Sequence, residues 1–554
     1  MEPKTTPLDL SADARGWSTL LVRNAAFLPL ILVTVPIELV SAWLLASPDR
    51  VYSRTMTWDL LFNLGGAWHI YNGQTAHADF HDPVGILSFL LTCIGFWAGG
   101  VTVAGFIFGN LLALAFVFVT SVAACLRRLP LFPAVVFILF TCQLVLTPTN
   151  VGALVDDFSF AMSYNAYGWS ILCTVALILF VPSSRPAGTP WMDLTLGVAL
   201  LLALYYLKIT YFLAGLGMVV VAIALCPQVR TNRIAWGVAA ALLVASAIAP
   251  YNWGYLADIL GAIESGAIRS TRLEMLLLFS ANSAELSLYG AILLVAAGLW
   301  MSGDAPARLP LIIGALIIAG MAVLSQNAQL SGLPVCAISA FLLYDHFRIT
   351  PLFKSRNSMV CALLALMILP IAGVLSSSIS IALYSQRAKS EGNLFVVERT
   401  NLRGLAVPMD PKGQAPVYSN RSSDVTWPSR LRAIGGNPPL SQYEYVQSIL
   451  EAVALFDDGA PPGGIVMLDA VNPLPFALGW YPARGASLWM DTNFPWRPAD
   501  EMFADANYVL IPKFSTYADL TRQAYSRYGA DLERDFPVRI ESRSWTLLRR
   551  GPKS

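Results

Sequence analysis

Titratable side chains are concentrated in one short stretch of this chain, between Thr57 and Gly85. The stretch contains three aspartates and three of the four histidines of the chain: Asp59, Asp79, Asp82, His69, His77 and His81. Carboxylates and imidazoles are the side chains that most often transfer protons in enzymes or bind metal ions. This stretch is therefore the first candidate for a chemical site.

The segment HADFHD, residues 77–82, has a spacing that would suit a metal ion. In an extended backbone alternate side chains point to the same side, so His77, Asp79 and His81 would face together. Three such ligands can hold a divalent cation, here Mg²⁺ or Mn²⁺. An ordinary polar loop is the alternative interpretation, because the spacing is not that of a zinc motif.

Other acidic residues also have two interpretations each. Asp59 is the second residue of the amphipathic stretch WDLLFNLGGAWHIY. It would either stabilise the start of a helix there or act as a catalytic base. Asp156 and Asp157 are either solvated loop residues or part of a site. Glu38 lies inside an apolar run, where an acid is either functional or packed in its protonated form.

The composition is that of a polytopic membrane protein. Of 554 residues, 56% are hydrophobic and 13% are charged, whereas soluble domains carry about 25% charged residues. The net charge is +1 and no basic run is present, so we expect no nucleic-acid partner. The seven cysteines lie in or beside apolar runs and are expected to fill apolar space.

Apolar runs predict eleven membrane spans, because a bilayer core requires about 20 apolar residues per helix. They are 25–47, 101–125, 131–147, 168–184, 192–207, 209–227, 234–251, 286–302, 309–325, 332–346 and 358–384. The further stretch 84–99 is expected not to cross, because counting it would place basic loops on the wrong side of the membrane. The same bias predicts a cytoplasmic N-terminus, residues 1–24, in a protein of the plasma membrane.

The polar segments between these spans predict the organisation of the outer face. Outer loops are expected at 48–83, 148–167 and 252–285, and an extracytoplasmic domain at 385–554 follows the membrane module 25–384. In that domain a helix at 441–456 and strands at 465–469, 508–512 and 545–550 indicate a small α/β fold. The predicted fold class is an all-α polytopic membrane protein with a C-terminal α/β domain.

Further candidate residues lie at the predicted outer ends of the spans. Lys208 either contributes a cation to a site or extends its ammonium group to the membrane interface. Tyr164 and Asn165 are either substrate-binding residues or interfacial anchors. Arg269 and Arg272 place two more cations in the third outer loop. Carboxylates and cations from several loops would thus meet at one membrane face.

The order of these features resembles the C-type glycosyltransferases, which include protein mannosyltransferases, the lipid A aminoarabinose transferase and oligosaccharyltransferases. These polytopic enzymes take sugars from polyprenyl-phosphate carriers on the outer membrane face. The similar features are Asp59 after the first span, the loop G…H.DF.DPVG from Gly73 to Gly85, Asp156 with Asp157, Lys208 at a helix end, and the C-terminal domain. Leu60 departs from the pattern, because many relatives have an Asp-Glu pair there.

The resemblance implies a membrane glycosyltransferase with a polyprenyl-phosphate sugar donor and a glycan, lipid or protein acceptor. It implies Asp59 as the general base, and Asp156 or Asp157 as a ligand of the acceptor or of a metal. Lys208, Arg269 and Arg272 would bind the carrier phosphate. The residues implied to line the substrate pocket are His69, Asp79, His81, Tyr164 and Asn165.

Three other functions are compatible with the sequence. A transporter or lipid-carrier flippase would show inverted repeats and helices broken in mid-membrane, and the sequence indicates neither. A non-catalytic assembly or sensor protein of the membrane would need no carboxylate at position 59. An O-antigen ligase or polymerase would rely on arginines and a histidine in large outer loops. The glycosyltransferase is the favoured hypothesis.

Overall fold

The computed structural model is predominantly helical. It describes residues 10–149, 159–183, 190–266, 271–326, 331–349, 371–383, 386–387, 394–409, 441–456, 462–491, 495–513 and 518–551. The predicted site residues Asp156, Asp157 and Arg269 lie outside this part of the chain.

Helices make up the N-terminal two thirds of the described chain. They are α1 (Leu10–Leu45), α2 (Thr57–Tyr71), α3 (Leu87–Gly99), α4 (Ala104–Cys125), α5 (Leu131–Leu146), α6 (Ser163–Phe180), α7 (Pro190–Leu207), α8 (Ile209–Leu225), α9 (Pro227–Arg230), α10 (Arg233–Ala247), α11 (Trp253–Glu264), α12 (Arg272–Ala281), α13 (Ser283–Met301), α14 (Arg308–Ser325), α15 (Ile338–Ile349) and α16 (Ile371–Leu383).

Five of the described helices are long and apolar enough to cross a membrane. They are Phe27–Leu45 within α1, α4, α6, α13 and α14, and the bent pair α10–α11 would make a sixth. Shorter apolar helices cover the remaining predicted spans as far as the structure describes them. A helix of 16 residues measures about 24 Å, less than the bilayer core of about 30 Å. The polytopic fold class is confirmed, with five or six full-length spans.

The stretch 84–99 forms α3, a helix of 13 residues. Its length is about 20 Å, too short to cross the bilayer core. It packs closely against α4, since a Cβ added to Gly95 would lie 1.9 Å from the carbonyl oxygen of Gly105. The length of α3 is compatible with the prediction that the stretch 84–99 does not cross the membrane.

The stretch 252–285, predicted as an outer loop, is largely helical. Helix α11 follows α10 after a bend of 58°. Pro250 lies at the bend, and its ring and missing N–H interrupt the helix there. Helix α12 begins with a capping box, in which Thr271 and Glu274 satisfy each other's backbone N–H groups. The bend was not expected from the sequence, which showed no interrupted span.

The C-terminal part folds as an α/β domain, as predicted. One sheet contains β1 (Val51–Tyr52), β2 (Leu394–Val396) and β3 (Leu405–Pro408) in the order β1-β3-β2. The other contains β4 (Gly464–Met467), β5 (Ala506–Pro512), β6 (Val538–Glu541) and β7 (Trp545–Arg549) in the order β4-β5-β7-β6. The accompanying helices are α17 (Gln442–Ala454), α18 (Leu474–Leu478), α19 (Ala499–Met502) and α20 (Ala518–Asp535).

The segment after the first span is built into this domain. Strand β1 pairs in parallel with β3. The backbone N–H of Thr57 donates to Oε1 of Gln442 at 3.1 Å, and the indole N–H of Trp68 donates to the carbonyl oxygen of Trp480 at 2.7 Å. The first loop and the C-terminal domain therefore lie on the same side of the membrane and share one hydrophobic core.

Candidate functional site

Asp59 lies in the first turn of α2 and is partly buried. The N-cap of this helix is Met56 and no side-chain hydrogen bond caps it. Asp59 is therefore not the N-cap residue, but it is the acidic residue of the first turn, where a negative charge favours the helix N-terminus. No hydrogen bond joins the Asp59 carboxylate to a residue that the structure describes. Burial raises the pKa of Asp59 to about 7, because a low-dielectric surrounding disfavours the charged form.

The DPVG sequence, residues 82–85, forms a turn that contacts the break between α7 and α8. The backbone N–H of Val84 donates to Oδ1 of Asp82 at 2.7 Å. The N–H of Gly85 donates to the carbonyl oxygen of Leu207 at 3.0 Å. A Cβ at Gly85 would lie 2.1 Å from the carbonyl oxygen of Tyr206, so only glycine permits this approach. The turn is thereby fixed beside Lys208.

Lys208 interrupts the helical run between α7 and α8 with an extended backbone, at φ −166° and ψ 128°. Its Nζ lies 5.0 Å from the centroid of the Tyr164 ring, within cation–π distance. Asp82 is near enough to Lys208 and Asp59 to interact electrostatically with both. We call Asp59, Asp82, Tyr164 and Lys208 the carboxylate–lysine cluster.

Asp82 is buried, and burial raises its pKa to about 8 against the lowering effects of the Val84 N–H and of Lys208. At neutral pH this carboxyl is therefore mostly protonated, and it places little negative charge beside Lys208. Asn165 follows Tyr164 and is fully buried. Its amide oxygen and nitrogen have no hydrogen-bond partner among the described residues, which is uncommon for a buried amide.

A second polar cluster surrounds Asp258 of α11. The Nδ1 atoms of His77 and His81 each lie 3.0 Å from a carboxylate oxygen of Asp258. Arg497 of the C-terminal domain forms an ion pair with the same carboxylate. Glu501 lies 3.3 Å from Nε2 of His81. We call these five residues the Asp258 cluster; it joins the first loop, α11 and the C-terminal domain.

Asp79 does not belong to either cluster. Its carboxylate accepts the N–H of Thr75 at 2.8 Å and lies 3.7 Å from Arg484. The segment is not extended, because His77 has a φ of 65°, so the expected common orientation of His77, Asp79 and His81 is not formed. In the ranges described by the structure, no group of three His, Cys, Asp or Glu side chains is arranged to hold a metal ion.

His69 and Arg272 also lie away from the carboxylate–lysine cluster. His69 is ten residues after Asp59 on the same helix, about 15 Å along its axis. Its Nδ1 contacts Oε1 of Gln74, and burial lowers its pKa to about 4, so its imidazole is neutral. Arg272 is exposed at the start of α12. The structure therefore brings Asp59, Tyr164 and Lys208 together from the predicted set.

The sequence interpretation assigned no role to Asp258, and it considered Asp82 only as part of the segment HADFHD. Asp82 stands before a proline in a turn, and a carboxylate there often accepts a backbone N–H two residues later. Asp258 is the single acid in the apolar run WGYLADIL, and a lone acid in such a run signals a specific partner. Its partners come from positions 77, 81 and 497, which no local pattern connects.

Comparison with known proteins gives matches among solved structures. No protein-family model and no curated protein sequence matches the chain. ArnT from Cupriavidus metallidurans in the apo state has a TM-score of 0.43 and 13% identity, over 98% of this chain and 100% of that chain. The same protein bound to undecaprenyl phosphate has a TM-score of 0.43 and 12% identity, over 94% and 99%.

Proposed function

We propose that the protein is a membrane glycosyltransferase that moves a sugar from a polyprenyl-phosphate carrier to an acceptor. The observation that carries the proposal is the Asp59 carboxylate, which makes no hydrogen bond within the described structure and has a pKa raised to about 7. It shares a cluster with Lys208. Asp82 interacts with both Asp59 and Lys208. Transfer from a lipid phosphate requires a base and a cation in one site.

Asp59 acts as the general base in this proposal. It accepts the proton of the acceptor hydroxyl while the acceptor oxygen forms a bond to the anomeric carbon of the sugar. A base with a pKa near the working pH combines a sufficient fraction of carboxylate with sufficient basicity. The bond between the anomeric carbon and the carrier phosphate breaks at the same time, and the phosphate oxygen keeps the electron pair.

Lys208 stabilises the departing carrier phosphate. The ammonium group is held against Tyr164, and it gains a charge-assisted hydrogen bond as negative charge develops on the phosphate. The raised pKa of Asp82 supports this role, because a mostly neutral Asp82 does not repel the phosphate.

The proposed location is the plasma membrane, with the N-terminus in the cytoplasm and the reaction on the outer face. The distribution of Lys and Arg among the short loops supports this orientation. The contacts of the first loop with the C-terminal domain support a single active face. The acceptor is a glycan, a lipid or a protein, and the C-terminal domain borders the site from which it would approach.

The test is transfer by purified full-length protein in lipid nanodiscs, with a panel of labelled polyprenyl-phosphate sugars and membrane-extract acceptors. We expect wild type to consume one donor and Asp59→Asn to be slower by at least about 100-fold, as for a lost general base. Asp79→Asn is the control, because Asp79 lies outside the cluster. Full activity in Asp59→Asn would refute the role of Asp59. Donor consumption by neither protein would refute the transferase proposal.

A lipid-carrier flippase is the second candidate, favoured by the 58° bend between α10 and the segment Pro250–Glu264. Broken helices are characteristic of transporters. Asp258 of this segment contacts His77 of the first loop and Arg497 of the C-terminal domain, and these contacts favour a bend near the end of the span over one at its middle. A flippase would move labelled carrier across a vesicle membrane without breaking the sugar–phosphate bond, and the products of the same assay distinguish the two functions.

A further inference from the structure

A cavity of about 920 Å³ lies outside both clusters, between the sheet β1-β3-β2 and helix α17. Its volume is within the range of about 300–1,000 Å³ found for small-molecule sites. The apolar side chains that line it include Phe395 on β2, Met409 after β3 and Leu450 on α17. Arg50, Glu398 and Arg399 are its charged lining residues.

The apolar part of the lining is accessible to solvent. Met409 is 39% exposed, and Phe395 is partly exposed at the edge strand of the sheet. The Phe395 ring packs edge-on against Tyr443 at 5.2 Å between centroids, which fixes it as one wall of the cavity. Accessible apolar side chains grouped in a concave site favour a ligand that carries hydrocarbon.

The charged lining favours an anion. Arg50 and Arg399 are exposed, and neither guanidinium forms an ion pair with a residue that the structure describes. Glu398 is the single acid of the lining, so the positive charges outnumber the negative. Guanidinium groups bind phosphate oxygens through paired N–H donors, so the two arginines suit a phosphate-bearing headgroup.

The cavity also lies close to the membrane. Arg50 follows the span Phe27–Leu45 by five residues, and five residues extend at most about 17 Å. Arg50 is therefore within reach of the headgroup layer on the side where the first span ends. A lipid of that leaflet would need to move only a short distance to enter the cavity.

We infer that this cavity binds an anionic membrane lipid, with its acyl chain against Phe395, Met409 and Leu450 and its phosphate between Arg50 and Arg399. The site is separate from the carboxylate–lysine cluster and does not depend on the transfer reaction. It would hold the C-terminal domain against the membrane surface, because the lining combines residues that follow the first span with residues of that domain.

The inference is tested by photolabelling of the full-length protein in nanodiscs without any sugar donor. The probes are phosphatidylglycerol and phosphatidylcholine, each with a diazirine on one acyl chain, and labelled peptides are mapped by mass spectrometry. We expect phosphatidylglycerol to label residues 394–400 and 450–454 at least about fivefold more than phosphatidylcholine, because arginines near a membrane surface attract anionic lipids.

Variants separate a specific site from general charge attraction. Arg50→Gln combined with Arg399→Gln is expected to reduce labelling by at least about fivefold. Arg403→Gln, on the same turn but not in the lining, is expected to leave it unchanged. Arg50→Lys with Arg399→Lys is expected to retain only part of the labelling, because an ammonium group keeps the charge but lacks the paired N–H donors. A melting temperature equal to wild type shows that the Gln variant is folded.

Three outcomes would overturn the inference. They are equal labelling by the two lipids, labelling unaffected by the double Gln substitution in the folded variant, and equal loss of labelling in Arg403→Gln. Millimolar inorganic phosphate is added in a further arm. Unchanged labelling supports a lipid site, whereas complete competition would show a site for free phosphate.

Discussion

The loop from His77 to Gly85 supplies residues to two neighbouring polar clusters that differ in how their carboxylates are bonded. In the Asp258 cluster the carboxylate contacts two histidines and an arginine and also accepts the backbone N–H of Asp82. In the carboxylate–lysine cluster, Asp59 makes no hydrogen bond to any described residue. The two clusters that this loop joins thus contain one carboxylate with several partners, Asp258 of α11, and one without a described partner, Asp59 of α2.

This difference separates a structural role from a chemical one. A buried carboxylate with several charged donors holds its partners together, and in this case it links three segments that are distant in sequence. A partly buried carboxylate without partners costs stability, and such groups are concentrated at functional sites. The contrast supports a structural role for the Asp258 cluster, and it agrees with the proposed role of Asp59, whose carboxylate has no described hydrogen bond.

Substitution of Asp258 tests the structural side of the comparison and has the largest expected effect. Asp258→Asn removes a buried anion from His77, His81 and the half-buried Arg497, which keeps only its longer contact with Glu501. Loss of one partner of a buried ion pair costs up to about 3–5 kcal/mol in unfolding free energy. Thermal unfolding should show a large fall in melting temperature, with faster hydrogen exchange in residues 74–82. Asp79→Asn, at a more exposed ion pair, should cost less than about 1 kcal/mol. Equal losses would contradict the comparison.

Substitution of Gly85 tests the contact that holds the turn 82–85 beside Lys208 in the carboxylate–lysine cluster. In Gly85→Ala the added methyl group would overlap the carbonyl oxygen of Tyr206, and overpacking of this kind costs about 1–3 kcal/mol. We expect a lower melting temperature and a lower transfer rate, because the turn is displaced from Lys208. The matched control is Gly217→Ala, where an added Cβ meets nothing within 4 Å. Unchanged activity in Gly85→Ala would show that this contact is dispensable.

The pH dependence of the transfer rate tests whether ionisation of Asp59, the carboxylate without a described hydrogen bond, controls the reaction. The pKa of Asp59 is raised to about 7, so its base form increases as the pH rises through 7. Between pH 6 and pH 8 the single-turnover rate should therefore rise about tenfold and then level off. A rate that is constant over this range, with the protein folded throughout, would show that the base is another group.

The same raised pKa has an opposite consequence for stability. A carboxyl group whose pKa is higher in the folded protein binds more protons when folded, so its contribution falls as the pH rises from about 4 to about 7. Activity and stability should therefore change in opposite directions over the upper part of this range. In Asp59→Asn, the share of the fall in melting temperature between about pH 4 and about pH 7 that comes from Asp59 should disappear.

Several elements were predictable because local sequence determines them. The first span, the helix at 441–456 with its Ser441–Glu444 capping box, and the strands near 465, 508 and 545 follow from hydrophobic pattern and cap chemistry. Strand β6 was not predicted, since all four of its residues are exposed and it lacks a buried face. Helices α11 and α12 were missed because a span followed by polar residues indicates a loop.

In the site, the residue types were predictable but most of their contacts were not. The sequence by itself determined the membrane class, the position of Asp59 after the first span, and the turn at 82–85, since span length, helix starts and proline turns depend on neighbouring residues. Only the tertiary structure decided that Asp82 and Lys208 meet, that His77 and His81 share Asp258, and that Asp79 faces elsewhere. Those contacts join segments more than 100 residues apart, and their formation depends on how the helices and the C-terminal domain pack.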